Sequence, residues 1–447
     1  MNHSEAIYLG FALLVIGAFR FSQPRAAALG AFLGGWVLLP VGNFPAAHGS
    51  NEFAYWIVGL ALPSEMLISK AWVAPCAALA GLLMMDRQRI RRLKPVACDA
   101  AIACLCLWPC VQWVIFGRES DPPAAFASLY LLGSWGATWL LGRLLAADDE
   151  GRRLLAQGMA FAAFACLPFS LLEGVHGPFV YDAIYGPHPF RTVGAARYVG
   201  FRPVGFFEDG NQFGLWLAMG TIAAAWLACR PQARRRDRWI AATLVVMTIA
   251  AQSVGAALLA ALGVALVRFG RQINLRYAAV GALALVLLGG VVMLSGRVPL
   301  RQIATETTIG RAAVDAFRSV GRESLPWRIA QEQRLLRPAL THPLVGTGQW
   351  DWWRAEGRRP WGTVLLMIGQ LGIVGLALGA ATMIVPAMLT VLRERPPNSP
   401  GTAGAPLLFA VIVAMALTDA LLNSFVYFPA LALAGSLASM RERPQYG

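Results

Sequence analysis

Charged side chains are scarce in this chain of 447 residues. Asp, Glu, Lys and Arg make up 14% of the residues, against about 25% in a typical soluble domain. Apolar residues make up 57% before glycine is counted. So little polar surface does not cover a water-soluble body, which excludes a soluble enzyme, a disordered tail and a secreted disulfide scaffold. The composition therefore predicts a polytopic membrane protein.

Metal-binding patterns are also missing from the sequence. The seven cysteines lie in or beside apolar runs and lack zinc-ligand spacing, which indicates small buried side chains. The densest acidic group, at 148–150, is predicted to be a solvated turn rather than a magnesium site. The first residues lack the basic region of a cleavable signal peptide. We expect no metal, no cofactor and a first membrane helix that is kept.

Apolar runs long enough to span a bilayer recur along the whole chain. Such a helix needs about 20 apolar residues. The run 239–267 is long for one helix and short for two, and polar residues at 252–255 interrupt it, which favours two short passes or a re-entrant pair. We predict an all-α transmembrane bundle of roughly 12–13 helices, forming a single integral membrane domain over 1–447. The other predicted spans are 6–19, 26–41, 64–85, 95–117, 124–142, 154–173, 212–229, 277–295, 361–392, 405–421 and 425–440.

Basic clusters alternate with long or weakly charged segments, as the positive-inside rule requires. The clusters at 86–94 and 230–238 each carry a net charge of +4. With these clusters in the cytoplasm, two long segments lie outside: 174–211 is neutral, and 297–360 carries +5. The shorter segments 42–63 and 118–123 also lie outside. Because the basic residues orient helices or occupy the outer loop, nucleic acid is not a predicted partner.

The larger outer loop is predicted to be partly helical, with one or two amphipathic helices in 311–340. Arg328 and Glu332 are spaced to pair on one helix face. The arginines of this segment outnumber its acids, so some of them need other anions. Two interpretations stay open: a lid whose arginines contact lipid headgroups, or an anion-binding cap over a membrane cavity. The arginines are Arg311, Arg318, Arg322, Arg328, Arg334 and Arg337.

A few further polar and aromatic residues have two interpretations each. Trp350 opens a tryptophan-rich stretch that suits an interface anchor or a platform for a sugar ring. Asp419 and Asn423 share a helix face, either for a hydrogen bond between helices or for a functional role within the membrane. Glu65 and Lys70 lie near the start of one span and are predicted to pair with each other.

Three stretches of this sequence, in this order, together form a recognisable pattern. The first is RPVGFFEDGN at 202–211, just before a span. The second combines RESLPWR at 322–328 with HPLVGTG at 342–348. The third is QLGIVG at 370–375, inside the span that follows the outer loop. The combination resembles the O-antigen ligase and polysaccharide polymerase superfamily, over roughly residues 190–390, with compatible helices on both sides.

The resemblance implies a metal-independent glycosyltransferase of the bacterial inner membrane, with its active site facing the periplasm. Such enzymes take a glycan from undecaprenyl diphosphate and transfer it to a sugar hydroxyl, on lipid A core in ligases or on another lipid-linked repeat in polymerases. Arg202 and Arg322 match the arginines that hold the diphosphate. The predicted substrate-binding residues are Arg191, Arg197, Asn211, Arg318, Arg328, Gly346, Gly348 and Trp350.

The proposed chemistry accounts for these residue types independently. The leaving group is a lipid diphosphate, so negative charge builds on its oxygens as the bond breaks. Fixed guanidinium groups at a water-poor membrane edge stabilise that charge without a metal. The acceptor hydroxyl needs a base or a positioning group, and His342, Glu208 and Asp209 are the outer candidates.

Two positions depart from the ligase pattern, and other protein classes stay open. The span after the large loop begins with RRPWG at 358–362, where ligases usually carry a His, and Val254 stands where many relatives have an Arg. The polymerase and the ligase interpretations of this sequence therefore both stay open. A flippase of lipid-linked glycans predicts half-chain repeats, which we do not detect. A non-catalytic scaffold for polysaccharide assembly predicts that the arginines tolerate lysine.

Overall fold

The structure is a computed structural model that describes most of the chain. All regular secondary structure in the described residues is helical, and one isolated antiparallel bridge joins Ala196 to Phe201. The predicted all-α fold is therefore confirmed for these residues. The segment 42–63 lies outside them, and 277–295 is described only in part. The described residues are 3–41, 68–117, 122–188, 196–197, 199–269, 306–319, 324–357, 360–393, 404–421 and 423–439, with scattered positions between 277 and 303.

Most helices in the first half of the chain coincide with the predicted spans, while the short helices α4 and α10 lie in predicted loops. A π-helical turn, Leu132–Gly136, joins α6 to α7, so that the two form one continuous helical stretch. Their bounds are α1 His3–Phe21, α2 Pro24–Leu38, α3 Lys70–Met85, α4 Arg87–Arg91, α5 Ala97–Phe116, α6 Ala124–Leu131, α7 Ala137–Leu145, α8 Asp149–Phe164, α9 Leu167–His176 and α10 Val180–Tyr185.

Helices in the second half include the two amphipathic helices predicted for the outer loop, α14 and α15. The bounds are α11 Gly210–Ala228, α12 Arg235–Ala250, α13 Val254–Phe269, α14 Thr308–Ser319, α15 Ser324–Ala339, α16 Thr363–Arg393, α17 Ala405–Ala420 and α18 Phe428–Ala438. A short 3-10 turn, Arg354–Glu356, lies between α15 and α16.

Several helices are apolar enough for a membrane environment. Four described helical stretches are also long enough to cross one: Ala97–Ile115, Ala124–Leu145, Asp149–His176 and Thr363–Arg393. Shorter apolar helices match other predicted spans, including α3, α13, α17 and α18. Together these helices indicate a membrane protein.

The long apolar run 239–267 is divided into two helices, as its polar interruption predicted. Helix α12 ends at Ala250 and α13 begins at Val254. Gln252 lies between them with φ of 49°, in the left-handed region, so the right-handed helix does not continue through it. Both helices pack against α11.

The predicted cytoplasmic segments meet at one end of the bundle, here called the basic end. Arg25, in the first turn of α2, forms an ion pair with Asp148, the N-cap of α8. Arg143 in α7 donates from Nη2 to the carbonyl oxygen of Lys94 (2.7 Å). Ser436 in α18 donates to the carbonyl oxygen of Ala146 (2.9 Å).

The predicted outer segments meet at the opposite end, here called the loop end. Tyr8, near the start of α1, donates to the carbonyl oxygen of Pro40 (2.7 Å). Thr363, at the start of α16, donates to the carbonyl oxygen of Asn423 (2.8 Å). These contacts therefore join described segments that the charge pattern assigns to the same side.

Helix α16 is broken at Gly372, where φ is 73° and ψ is 179°. The loop 342–348 lies against this break and pairs with it through backbone hydrogen bonds. The N–H of Gly348 donates to the carbonyl oxygen of Gln370 (3.0 Å), and the N–H of Ile373 donates to that of Pro343 (2.8 Å). Peptide groups that the helix break exposes are thus paired inside the protein, as an apolar layer requires.

Candidate functional site

One buried carboxylate, that of Glu173 near the end of α9, holds both ends of the loop that follows it. Its Oε1 accepts a hydrogen bond from the N–H of Val180 (3.2 Å). Its Oε2 accepts from the N–H groups of Val204 (2.8 Å) and Gly205 (2.7 Å). A carboxylate is a strong acceptor for backbone donors. Glu173 therefore fixes where the loop leaves the bundle and where it returns.

Residues 202–211, here called the motif turn, connect that anchor to the first turn of α11. Asp209 is the N-cap of α11, and its Oδ1 accepts from the N–H groups of Asn211 (2.9 Å) and Gln212 (2.8 Å). Gln212 in return accepts from the N–H of Glu208 (3.0 Å). These bonds satisfy amides that a helix start leaves open. Turn and helix form one unit, with Asp209 and Asn211 half-buried.

Arg202 opens the motif turn, and its half-buried side chain lies across the start of α11. Its Nη2 donates to the carbonyl oxygen of Gln252, in the break between α12 and α13 (3.0 Å). Gly210 makes room for it, because a Cβ at that position would collide with the Arg202 side chain. The guanidinium is thereby fixed beside a helix N-terminus, whose partial positive charge also favours an anion.

Lys70 and Glu208 form an ion pair beneath the motif turn. The Nζ of Lys70 donates to the carbonyl oxygen of Phe206 (3.0 Å) and lies 3.6 Å from Oε1 of Glu208. Burial raises the pKa of Glu208, and the charge of Lys70 offsets only part of that rise. Both side chains are only 1% exposed, so Glu208 has no access to a substrate in this conformation. Asp209 and His342 are better exposed candidates.

A cluster of aromatic rings connects the motif turn to the break between α17 and α18. The ring of Trp36 lies 6.2 Å from that of Phe207 and 6.0 Å from that of Tyr427, in edge-to-face arrangements. Trp216 of α11 lies 6.3 Å from Tyr427. Packing within this cluster therefore holds the motif turn against the break between α17 and α18.

Helix α15 docks on the bundle partly through Arg328. Its Nη1 donates to Oδ1 of Asn423 (2.9 Å), and its guanidinium lies 4.7 Å from the centroid of the Trp361 ring. The side-chain amide of Asn423 donates to Asp419 (2.8 Å). Asp419 and Asn423 thus bond to each other within one segment, and the hydrogen bond to another helix is the one that Asn423 accepts from Arg328.

Glu332, one turn further along α15, makes the second docking contact. Its Oε1 accepts from the N–H groups of Trp361 and Gly362, the latter at 3.1 Å. Arg328 and Glu332 therefore both contact other elements, and their charges also interact with each other, because Arg328 acts to lower the pKa of Glu332. Burial raises the pKa of Glu332 to about 7, although the two N–H donors and Arg328 act to lower it.

The docking of α15 is therefore expected to weaken as the pH rises from about 4.5 to about 7. Docked Glu332 holds its proton more tightly than undocked Glu332, so docking is strongest below its ordinary pKa of 4.5. The full effect is roughly 3 kcal/mol, because each pKa unit equals about 1.4 kcal/mol. Hydrogen exchange of α15 amides, corrected for intrinsic pH dependence, measures it. Glu332→Gln is the control, and an equal pH dependence in that variant contradicts the assignment.

The loop residues Gly346, Gly348 and Trp350 lie in packed surroundings. Both glycines have positive φ, 75° and 72°, and belong to the backbone pairing with the α16 break. Trp350 is 4% exposed, and the guanidinium of Arg354 lies 4.9 Å from its ring centroid. A ring this buried has no free face for a sugar. His342, at the start of the loop, is exposed.

The remaining predicted site residues are less closely defined. Arg191 and Arg322 lie outside the described residues, and only the backbone of Arg318, within α14, is described. Arg197 is exposed, and its N–H donates to the carbonyl oxygen of Gly200 (3.0 Å). The structure therefore groups the predicted residues of the motif turn, and holds Arg328 separately against Asn423.

Sequence reasoning missed Glu173 and the partner of Lys70. Lys70 contacts Glu208, while Glu65, its predicted partner, lies outside the described residues. One signal was available, because an ionisable residue alone at the end of an apolar run has to find a partner or a function. Which partner it finds depends on tertiary packing.

Within the described part of the chain, no three His, Cys, Asp or Glu side chains are grouped so that they could hold a metal ion. Comparisons with protein-family models, with curated proteins and with solved structures find no match to this chain. The superfamily resemblance therefore rests on the sequence motifs alone.

Proposed function

We propose that the protein is a metal-independent membrane glycosyltransferase, a polysaccharide polymerase or an O-antigen ligase. It transfers a glycan from undecaprenyl diphosphate to a sugar hydroxyl, on another glycan or on lipid A core. The observation that carries the proposal is the placement of Arg202. Its guanidinium is held by the carbonyl of Gln252 at the rim of an apolar bundle, next to the capped N-terminus of α11.

In the proposed topology the protein crosses the bacterial inner membrane with roughly 12–13 helices, and its loop end lies in the periplasm. The gathering of the basic segments at the opposite end of the bundle supports this orientation. Membrane lipids surround the helices, and the donor reaches Arg202 from the bilayer with its diphosphate at the headgroup level.

The proposed reaction needs charge stabilisation and one proton acceptor. The acceptor hydroxyl oxygen attacks the anomeric carbon, and the bond from that carbon to the diphosphate oxygen breaks, with its electron pair leaving on the diphosphate. Arg202 stabilises that charge, and Arg322 is proposed to assist it. The hydroxyl proton passes to a base, for which His342 and Asp209 are the accessible candidates.

Arg202→Ala is expected to lower glycan transfer about 100-fold, which corresponds to about 2.7 kcal/mol of transition-state stabilisation. Arg202→Lys is expected to retain only part of the activity, because a point charge replaces a planar fork. The assay uses purified protein in nanodiscs with lipid-linked repeat, with and without lipid A core as acceptor, and reads product size on gels.

The matched control for Arg202→Ala is Arg236→Ala, since the Arg236 side chain is 70% exposed and belongs to a basic cluster at the start of α12. Full-length product from Arg202→Ala at equal protein level contradicts the site. Wild-type protein that moves lipid-linked glycan between leaflets without extending it contradicts the enzyme and favours a flippase.

A further inference from the structure

The Lys70–Glu208 pair is unusual in its surroundings. Lys70 is the first residue of α3, and Glu208 belongs to the motif turn, far along the chain. The ammonium lies 5.2 Å from the ring centroid of Trp36 and 5.0 Å from that of Phe207. The ammonium is therefore flanked by two aromatic rings, and both side chains of the pair are only 1% exposed.

Lys70 is the main counter-charge of Glu208. Neither of its carboxylate oxygens accepts a hydrogen bond among the described residues, so the ammonium 3.6 Å away is its counter-charge. A buried ion pair with incomplete hydrogen bonding seldom stabilises a protein more than apolar side chains of the same size. Stability alone therefore does not account for the pair.

The pair does account for the geometry of the motif turn. Lys70 contacts the turn twice, at the carbonyl oxygen of Phe206 and at the carboxylate of Glu208. These two points lie between Arg202 and Asp209, the half-buried residues that the turn presents. We infer that Lys70 and Glu208 are positioning residues that tie the motif turn to α3 and so set the place of Arg202. The contacts of Lys70 support the positioning role. The importance of that role for holding a diphosphate rests on the proposed function.

The experiment compares full-length protein in nanodiscs with Lys70→Met, Glu208→Gln and the double variant Lys70→Met/Glu208→Met. Three quantities are measured: the thermal midpoint, the amide exchange of residues 202–211, and the affinity for inorganic pyrophosphate. The control is Lys94→Met, because Lys94 is exposed at the basic end and is the only other lysine in the sequence.

The single Lys70 variant is expected to lower the thermal midpoint, since it leaves a buried carboxylate without its counter-charge. The double variant is expected to recover the midpoint but to keep exchange in the motif turn about tenfold faster than wild type, with pyrophosphate affinity about tenfold weaker. A purely structural pair predicts that the double variant recovers all three quantities, and that result overturns the inference. The nearly isosteric variant Glu208→Gln covers the case in which the double variant does not fold. It is expected to show faster amide exchange in the motif turn. An exchange rate equal to that of wild type in Glu208→Gln also overturns the inference.

Failure of this inference and failure of the proposed function give different results. If exchange in the turn depends on the pair but wild-type protein does not bind pyrophosphate, the positioning role stands and the diphosphate site is wrong. If wild-type and double-variant proteins bind pyrophosphate equally, the site stands and the positioning role is wrong.

Discussion

Replacing Gly346 by alanine is expected to destabilise the protein by roughly 3–5 kcal/mol, combining backbone strain with overpacking. Gly346 has φ of 75°, a conformation that side chains with a Cβ rarely adopt. Its Cβ would also lie 2.5 Å from the amide nitrogen of Gly372 and collide with the carbonyl of Gln370. These are backbone atoms that pair with the loop, so they have no room to yield. The thermal midpoint in detergent is the measurement.

Gly357→Ala separates the two contributions in the Gly346 variant. Gly357 lies in the same outer segment with φ of 60°, but nothing lies within 4 Å of the position of its Cβ. Alanine there carries only the conformational strain, about 1–2 kcal/mol. Equal losses in the two variants would show that the contact between the loop and the α16 break is not tight.

Glu173→Ala is expected to have an effect of similar size, roughly 3–5 kcal/mol on the stability of the outer loop. The substitution leaves three backbone N–H groups without their acceptor, and each such loss costs about 1–3 kcal/mol where water does not compensate. Both ends of the loop are released together. Tryptic cleavage after the exposed Arg197 should accelerate, and activity that depends on Arg202 should fall.

A graded series tests the role of Glu173 more sharply. Glutamine keeps one acceptor oxygen and replaces the other with an NH₂ group that faces N–H donors, so it should lie between glutamate and alanine. The control is Glu150→Ala, whose side chain is 89% exposed in the preceding helix. Cleavage after Arg197 that is unchanged in Glu173→Ala would disprove the anchoring role.

Much of the helical layout could be predicted from the sequence, because each helix needs only its own apolar run. The break near Gln252 is an example, since a polar and glycine-containing interruption is a local property. The two amphipathic helices α14 and α15 are also local patterns. Such features depend on the residues within one segment and on the solvent around it.

Side-chain partners could not be predicted in the same way. The spacing of Arg328 and Glu332 predicted that the two charges interact, but it did not predict that Arg328 donates to Asn423 or that Glu332 accepts from the N–H groups before α16. An exposed pair within a helix contributes only about 0.3–0.5 kcal/mol. A buried backbone amide left without an acceptor costs more than that, so tertiary contacts determine which partners these side chains bind.

The candidate site was predicted in its residue types but not in its supports. The sequence motif contains Arg202, Asp209 and Asn211, and the structure places all three on one turn. Their supports, Glu173 and Lys70, come from helices whose positions along the chain carry no motif. The loop glycines were assigned to substrate binding, whereas their positive φ values and backbone bonds reflect the contact with α16.

The break in α16 also has a consequence for how the chain is made. Its two halves expose peptide groups at Gly369 and Gln370 that loop 342–348 and the side chain of Gln112 pair with. Leaving such groups unpaired in lipid costs several kcal/mol each. On leaving the ribosome, this segment therefore has no stable resting form in the bilayer until α5 and the loop are beside it. Both partners precede α16 in the chain, so the break is paired as soon as α16 packs against them, and a truncation before α16 would remove the backbone groups that loop 342–348 pairs with.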